Sequence, residues 1–130
     1  MELKEIPTEL NAISNLVLNR AIKVHKSLGP GLLESVYKEC LFYELVSAGL
    51  NVQKEKAVPV IWNNLKLEHG FRVDLMVDNK IVLEIKSIES FSEVHTAQML
   101  TYLRLTGCRL GLLLNFNVYR LADGIKRLII

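Results

Sequence analysis

Gly70-Phe-Arg-Val-Asp-Leu-Met-Val-Asp-Asn-Lys-Ile-Val-Leu-Glu-Ile-Lys86 is the stretch whose reading decides the fold. Two runs of alternating apolar residues flank Asp78-Asn79-Lys80, a tight-turn signal, so the stretch reads as a β-hairpin. Side chains alternate across a strand. In the first arm Phe71, Val73, Leu75 and Val77 share one face, and Arg72, Asp74 and Met76 share the other. In the second arm Ile81, Leu83 and Ile85 share a face, while Glu84 and Lys86 point the opposite way. In the simplest register Asp74 and Glu84 converge on one point.

Charged side chains on a central strand pair need compensation. Burying carboxylates is costly, and the usual remedy is a cation. Two carboxylates and a lysine suit Mg²⁺-assisted cleavage of a phosphodiester. The carboxylates hold a hard cation that keeps several waters. The ion polarises the phosphate and lowers the pKa of a bound water. The lysine orients that water or stabilises developing negative charge. The alternative is two polar faces with a surface Lys–Glu pair, because short motifs often match by chance.

The chain has 130 residues, half of them hydrophobic, which is the length and profile of a single globular domain spanning residues 1–130. Its formal net charge of +2 neither demands nor excludes a nucleic-acid partner, so any basic surface must be local. Cys40 and Cys108 are far apart and sit in apolar-periodic stretches, which fits buried free thiols in a reducing cytoplasm rather than a zinc site. The N-terminus, Met1 to Pro7, has no apolar signal core, and no stretch approaches the length needed to span a membrane. A cytoplasmic protein without a membrane partner is expected.

Upstream of the hairpin, Pro7-Thr8 starts a helix whose Leu10, Ile13, Val17, Ala21, Val24 and Leu28 recur at helical spacing before Gly29-Pro30-Gly31 stops it. Asn19, Arg20, Lys23 and Lys26 lie off that stripe, as a solvated face or as a basic flank. A second helix runs from about Leu32 to Ala48, with Glu34 in its first turn. Val52 to Trp62 reads as a strand, with Pro59 marking an edge or a bulge. Asn63-Asn64 is a turn, and Leu65 to Leu67 a short returning strand. Downstream, Ser90 to Leu105 forms a third helix capped by Ser90 or Ser92. Val94, Ala97, Leu100, Thr101 and Leu105 are its expected interior face, and His95, Gln98 and Tyr102 a polar stripe. Leu110 to Leu114 is a buried strand. Val118 to Leu121 and Ile125 to Ile130 are short final strands, the last ending in an apolar terminus that is either docked in the sheet or used at a subunit contact. The order gives an α/β sandwich on a mixed sheet, with strand–helix–strand as a crossover.

In this arrangement the chain resembles the PD-(D/E)XK nucleases. Asp74 is followed by Glu84-Ile-Lys86 on the next strand, within an αβββαβ order. Gly31-Leu-Leu-Glu34-Ser-Val-Tyr37, the Gly111-Leu-Leu-Leu-Asn-Phe116 segment, and His95-Thr-Ala-Gln98 leading to Tyr102 are similar to the GxxExxY family of that superfamily. The resemblance runs from about Leu10 to Arg127. It implies a restriction-endonuclease-like αβββαβ core, a mixed central sheet flanked by helices. Asp74 and Glu84 would be metal ligands, Glu34 would complete an Mg²⁺ or Mn²⁺ site, and Lys86 would be the catalytic lysine. Gln98 and Tyr102 would face the site as the Gln-x-x-x-Tyr pair of the exonuclease-like branch. The superfamily's proline is replaced by Val73, which touches no chemistry. Gln98 and Tyr102 could equally satisfy each other, and His95 reads as structural or as a phosphate contact.

Two functions follow. One is a metal-dependent deoxyribonuclease, acting on DNA ends or single strands in repair or defence. The other is a catalytically weak nuclease-fold protein that binds nucleic acid or assembles with a partner. The apolar C-terminus and the edge strand at Val58 to Trp62 invite a homodimer.

Overall fold

The computed structural model describes residues 6–130; the N-terminal residues 1–5, which belong to the stretch lacking a signal core, lie outside the described residues. The elements run α1 (Thr8–Leu28), α2 (Glu34–Ser47), β1 (Val52–Trp62), β2 (Leu65–Val77), β3 (Ile81–Lys86), α3 (Glu93–Thr106), β4 (Leu110–Asn115), a 3₁₀ turn (Leu121–Gly124) and β5 (Ile125–Ile129). The five strands form one sheet in the order β1-β2-β3-β4-β5. All neighbours are antiparallel except β3 and β4, which are parallel and joined through α3. A parallel pair needs such a crossover. This is the expected αβββαβ core, with one helix before it and one strand after it.

The hairpin turns where the sequence placed it. Asp78 and Asn79 both take left-handed backbone angles, φ 51° and 55°, which Asp and Asn tolerate better than most residues. α1 and α2 cover one face of the sheet, packing Val17, Ala21, Tyr37 and Leu41 on Leu75, Ile81, Leu83 and Leu112. α3 covers the other, setting Met99 and Leu103 against Val58, Met76, Val82 and Leu113. β3 and β4 are therefore buried on both sides, which is why they read as almost unbroken apolar runs. Each such fully buried aliphatic side chain contributes about 1.5–3 kcal/mol. Among the described residues no helix is long and apolar enough to cross a membrane.

Four local expectations are corrected. The inward residues of α3 are Met99 and Leu103, whereas Val94 is 72% and Leu105 43% exposed and Ala97 is exposed too. Gly111 on β4 explains the phase. A side chain there would collide with the Met99 sulfur, so its absence lets Met99 settle on the strand and turns Val94 outward. Val118 to Leu121 is not a strand; the chain bends there and enters the 3₁₀ turn. Leu65 to Leu67 is not separate from the hairpin but the start of one 13-residue strand. Finally, Phe71 and Val73 pack on the α3 side, not with Leu75 and Val77. The apolar terminus is docked: Ile129 pairs with Leu110, and the Ile130 N–H donates to the Arg109 carbonyl at 3.0 Å.

β3 pairs with only Leu75, Met76 and Val77 of β2. Beyond them β1 and β2 continue as a two-stranded ribbon, exposed throughout residues 61–70. β1 is an edge strand, and its register slips at Pro59, as a proline there requires.

Candidate active site

The ladder between β2 and β3 opens after the Leu75–Leu83 pair. Continued by one step, it would set Asp74 opposite Glu84. Instead, the two side chains fill the opening. The Asp74 N–H donates to Glu84 Oε2 at 2.7 Å, and the Ile85 N–H donates to Asp74 Oδ2 at 2.8 Å. Each carboxylate thus satisfies a backbone amide of the opposite strand. An apolar residue at either position would leave a buried donor unpaired, at a cost of about 1–3 kcal/mol. The sequence-based convergence of Asp74 and Glu84 is present in this reciprocal form.

Glu84 is only 4% exposed and Asp74 is half-buried. Burial, then the neighbouring charge of Asp74, pushes the Glu84 carboxyl up to about 7. Burial also raises Asp74, against the pull of the Ile85 amide and of the Lys38 and Lys86 charges. Lys86 lies two residues beyond Glu84, half-buried, where β3 pairs Lys86 with Asn115 of β4. The pair is therefore a buried negative site whose ionisation is opposed until positive charge arrives.

Glu34 opens α2. It is exposed, and one of its carboxylate oxygens accepts the Ser87 N–H at 3.3 Å; the Ser87 hydroxyl donates to the Leu32 carbonyl at 2.6 Å. α2 is thereby tied to the segment that follows Lys86. The charge of Glu34 raises both Asp74 and Glu84, so it acts on the same site. Yet among the described residues no three His, Cys, Asp or Glu side chains are gathered closely enough to hold an ion. The close acidic set stops at two, with Glu34 outside it.

On α3, the Tyr102 ring stacks on Phe71 with centroids 4.3 Å apart and planes 6° apart. Burial raises its hydroxyl pKa, and the Glu84 and Asp74 charges raise it further. Gln98 is exposed one turn earlier. His95 is structural: its Nδ1 accepts the Ser92 N–H at 2.9 Å at the start of the helix. Tyr37 is a clamp rather than a site residue. Its hydroxyl donates to the Gly29 carbonyl at 2.6 Å and accepts the Leu32 N–H at 3.1 Å, while its ring stacks on Phe116.

Two contributors were not foreseen. Lys38, four residues after Glu34 on α2, is largely buried, pairs with Glu55 at 3.0 Å and lowers the Asp74 pKa. Its helical spacing from Glu34 was the available signal. Asn115, given no role by the sequence beyond its place in the Gly111–Phe116 segment, is buried at the end of β4. Its side chain accepts the Ile88 and Asn117 amides and donates to the Ile88 carbonyl at 2.9 Å, while the Phe116 N–H donates to the Lys86 carbonyl. Together these bonds fix the backbone that carries Lys86.

Two acids exchanged across adjacent strands, with a lysine two residues past the second and a helix-sandwiched mixed sheet beneath them, define a class of α/β nucleases. A family model described as the PD-(D/E)XK nuclease superfamily matches residues 11–128, and the chain belongs to that superfamily. No match is found among curated proteins or among solved structures.

Proposed function

We propose that this chain is a DNA nuclease of the GxxExxY type that uses Mg²⁺ or Mn²⁺ held by Asp74 and Glu84. The observation that carries the reading is the reciprocal bonding of these two carboxylates across the opened ladder. Each acid has one oxygen committed to an amide and another left for a cation. The set contains no thiol or imidazole, which suits a hard ion that keeps most of its waters. The raised Glu84 pKa fits the same reading, because a bound cation supplies the charge that its burial lacks. When bound, such an ion activates a water and polarises the phosphoryl oxygen.

The chain's own residues do the rest. Lys86 donates toward the negative charge that develops on the phosphate, and Lys38 adds positive potential on the α2 side. Tyr102, braced by Phe71, and Gln98 orient the strand being cut, while Glu34 adds negative charge beside the two acids that would hold the ion. A cytoplasmic role in repair or defence, with exonuclease-like action on ends or single strands, goes with this reading.

The test is cleavage of end-labelled DNA by purified protein with Mn²⁺. Asp74→Asn and Lys86→Ala are expected to abolish it while keeping the fold; cleavage that persists in both variants belongs to a contaminant. The two-member acidic set also favours a second reading, a catalytically weak nuclease-fold protein that binds nucleic acid or assembles with a partner. Under it, millimolar Mn²⁺ leaves the thermal midpoint unchanged, whereas an ion that binds only the folded state must raise it.

A further inference from the structure

The β1–β2 ribbon is more than a long hairpin. It leaves the sheet at Asp74, the first acid of the site, and its far end carries unpartnered apolar side chains. Cross-strand pairing sets Val60 opposite Leu67 and Trp62 opposite Leu65, so these four share one face, with Ile61 and Lys66 on the other. Trp62 is 71% exposed and is the chain's one tryptophan. A large exposed aromatic on an isolated two-stranded ribbon contributes little to folding and calls for another role.

Charge indicates which role. Residues 54–72 hold four cations, Lys54, Lys56, Lys66 and Arg72, against two anions, Glu55 and Glu68; this one segment equals the formal net charge of +2 of the whole chain. Glu68 is paired with Lys66 and Glu55 with Lys38, while Lys54 is paired with Glu39 of α2 at 2.8 Å, so Lys56 and Arg72 are the root cations outside these ion pairs. Arg72, two residues from Asp74, gives one N–H to the Glu55 carbonyl and sits near the Glu55 carboxylate, which it shares with Lys38. A second copy of the chain fits less well. The exposed apolar tip amounts to on the order of 500 Å², short of the ~800 Å² per partner that a stable interface buries, and two such arms repel each other.

We propose that the ribbon is a nucleic-acid arm: its root cations follow the phosphates away from the site, and Trp62 stacks on an unpaired base at its tip. This rests on the nuclease reading and deepens it by naming the substrate class, a strand with a single-stranded portion. β2 carries two extra residues where the register slips, so the length is counted along β1: seven residues separate the level of Asp74 from Trp62, about 23 Å at ~3.3 Å per residue. Stacked nucleotides rise ~3.4 Å each, so the arm reaches about seven nucleotides from the phosphate at Asp74.

Because Trp62 is the lone tryptophan, its emission reports on the arm directly. The experiment titrates the protein in EDTA with oligothymidylates of 4 to 20 nucleotides and follows both Trp62 emission and the anisotropy of a labelled 20-mer. Emission is expected to be quenched by strands of about seven nucleotides or more and not by the 4-mer. Trp62→Ala should weaken binding of the 20-mer at least ~5-fold, the lower end for loss of one stacking aromatic, with Trp62→Phe close to wild type. Because the side chain is exposed, both variants should fold, as circular dichroism checks.

Unchanged emission at saturation, or equal affinity of wild type and Trp62→Ala, overturns the arm and leaves the nuclease reading intact. A dimer in sedimentation that Trp62→Ala dissociates also overturns it, assigning the tip to a second copy. Failure of the wild type to bind any oligonucleotide, with or without Mn²⁺, removes the nuclease reading and the arm with it.

Discussion

Replacing Glu84 by Gln should make the metal-free protein more stable at alkaline pH. In the fold, burial and Asp74 hold the Glu84 carboxyl at about 7, against an ordinary value of 4.5. Between those two values the folded chain keeps a proton that the unfolded chain has released. Stability therefore falls as pH rises through this window, and the loss is complete above about 7. At ~1.4 kcal/mol per tenfold change in proton affinity, the full loss is about 3 kcal/mol. Gln never ionises, and its carbonyl oxygen can still accept the Asp74 N–H, so Glu84→Gln removes this penalty while keeping the bond. For a domain of this size 1 kcal/mol moves the thermal midpoint by about 4 °C, which makes the gain roughly 10 °C at pH 8.5. Little difference is expected at pH 5.

The assay is thermal melting of both proteins in EDTA across that range, taking the difference between the two curves so that other titrating groups cancel. Adding 1 mM Mn²⁺ at pH 8.5 should close the gap by stabilising the wild type alone. A wild-type midpoint that rises from pH 5 to 8.5 relative to the variant would refute the reasoning, because Glu84 would then be content as a buried anion.

Asn115→Leu should cost about 2–4 kcal/mol in urea unfolding, since the Ile88 and Asn117 amides lose their buried acceptor. It should also depress cleavage by loosening the backbone at Lys86. Gly124→Ala puts a methyl onto the Asn115 carbonyl oxygen, a backbone atom that cannot swing aside, and should destabilise by about 1–3 kcal/mol in the same measurement. Tyr37→Phe removes the hydroxyl that ties Gly29 to Leu32 and should cost about 1–2 kcal/mol, with kcat on a DNA substrate little changed if Tyr37 is only a clamp.

The hairpin and the meeting of Asp74 with Glu84 were legible because both follow from a three-residue turn and the register it sets, which are local facts; the period of two itself breaks at Asp74, where Phe71 and Val73 change sides. The α3 face was not. Counting apolar residues favoured Val94 and Leu105, but the inward face follows what Met99 and Leu103 meet on other elements, Gly111 among them. The Asn115 lock was hidden for the same reason, its partner Ile88 being 27 residues away. The arm was cut short because the returning strand was ended at Leu67 and the hairpin begun at Gly70, whereas β2 runs on through an irregularity there and resumes its pairing with β1 on either side. Glu34 was correctly placed at a helix start. Its distance from the other two acids depends on how α2 meets the end of β3, and no spacing along the chain encodes that.

Asp74 and Glu84 are plugs as well as acids: they stand in for ladder bonds that the splayed strands no longer supply. A descendant that stopped cutting would still need an acceptor at both positions, which Asn and Gln supply as well as the acids do. Lys86 and Gln98 seal no such gap with their side chains and would be free to drift. Among relatives of this chain, an acceptor at these two positions marks the fold, whereas acids there together with that lysine and glutamine mark a living enzyme.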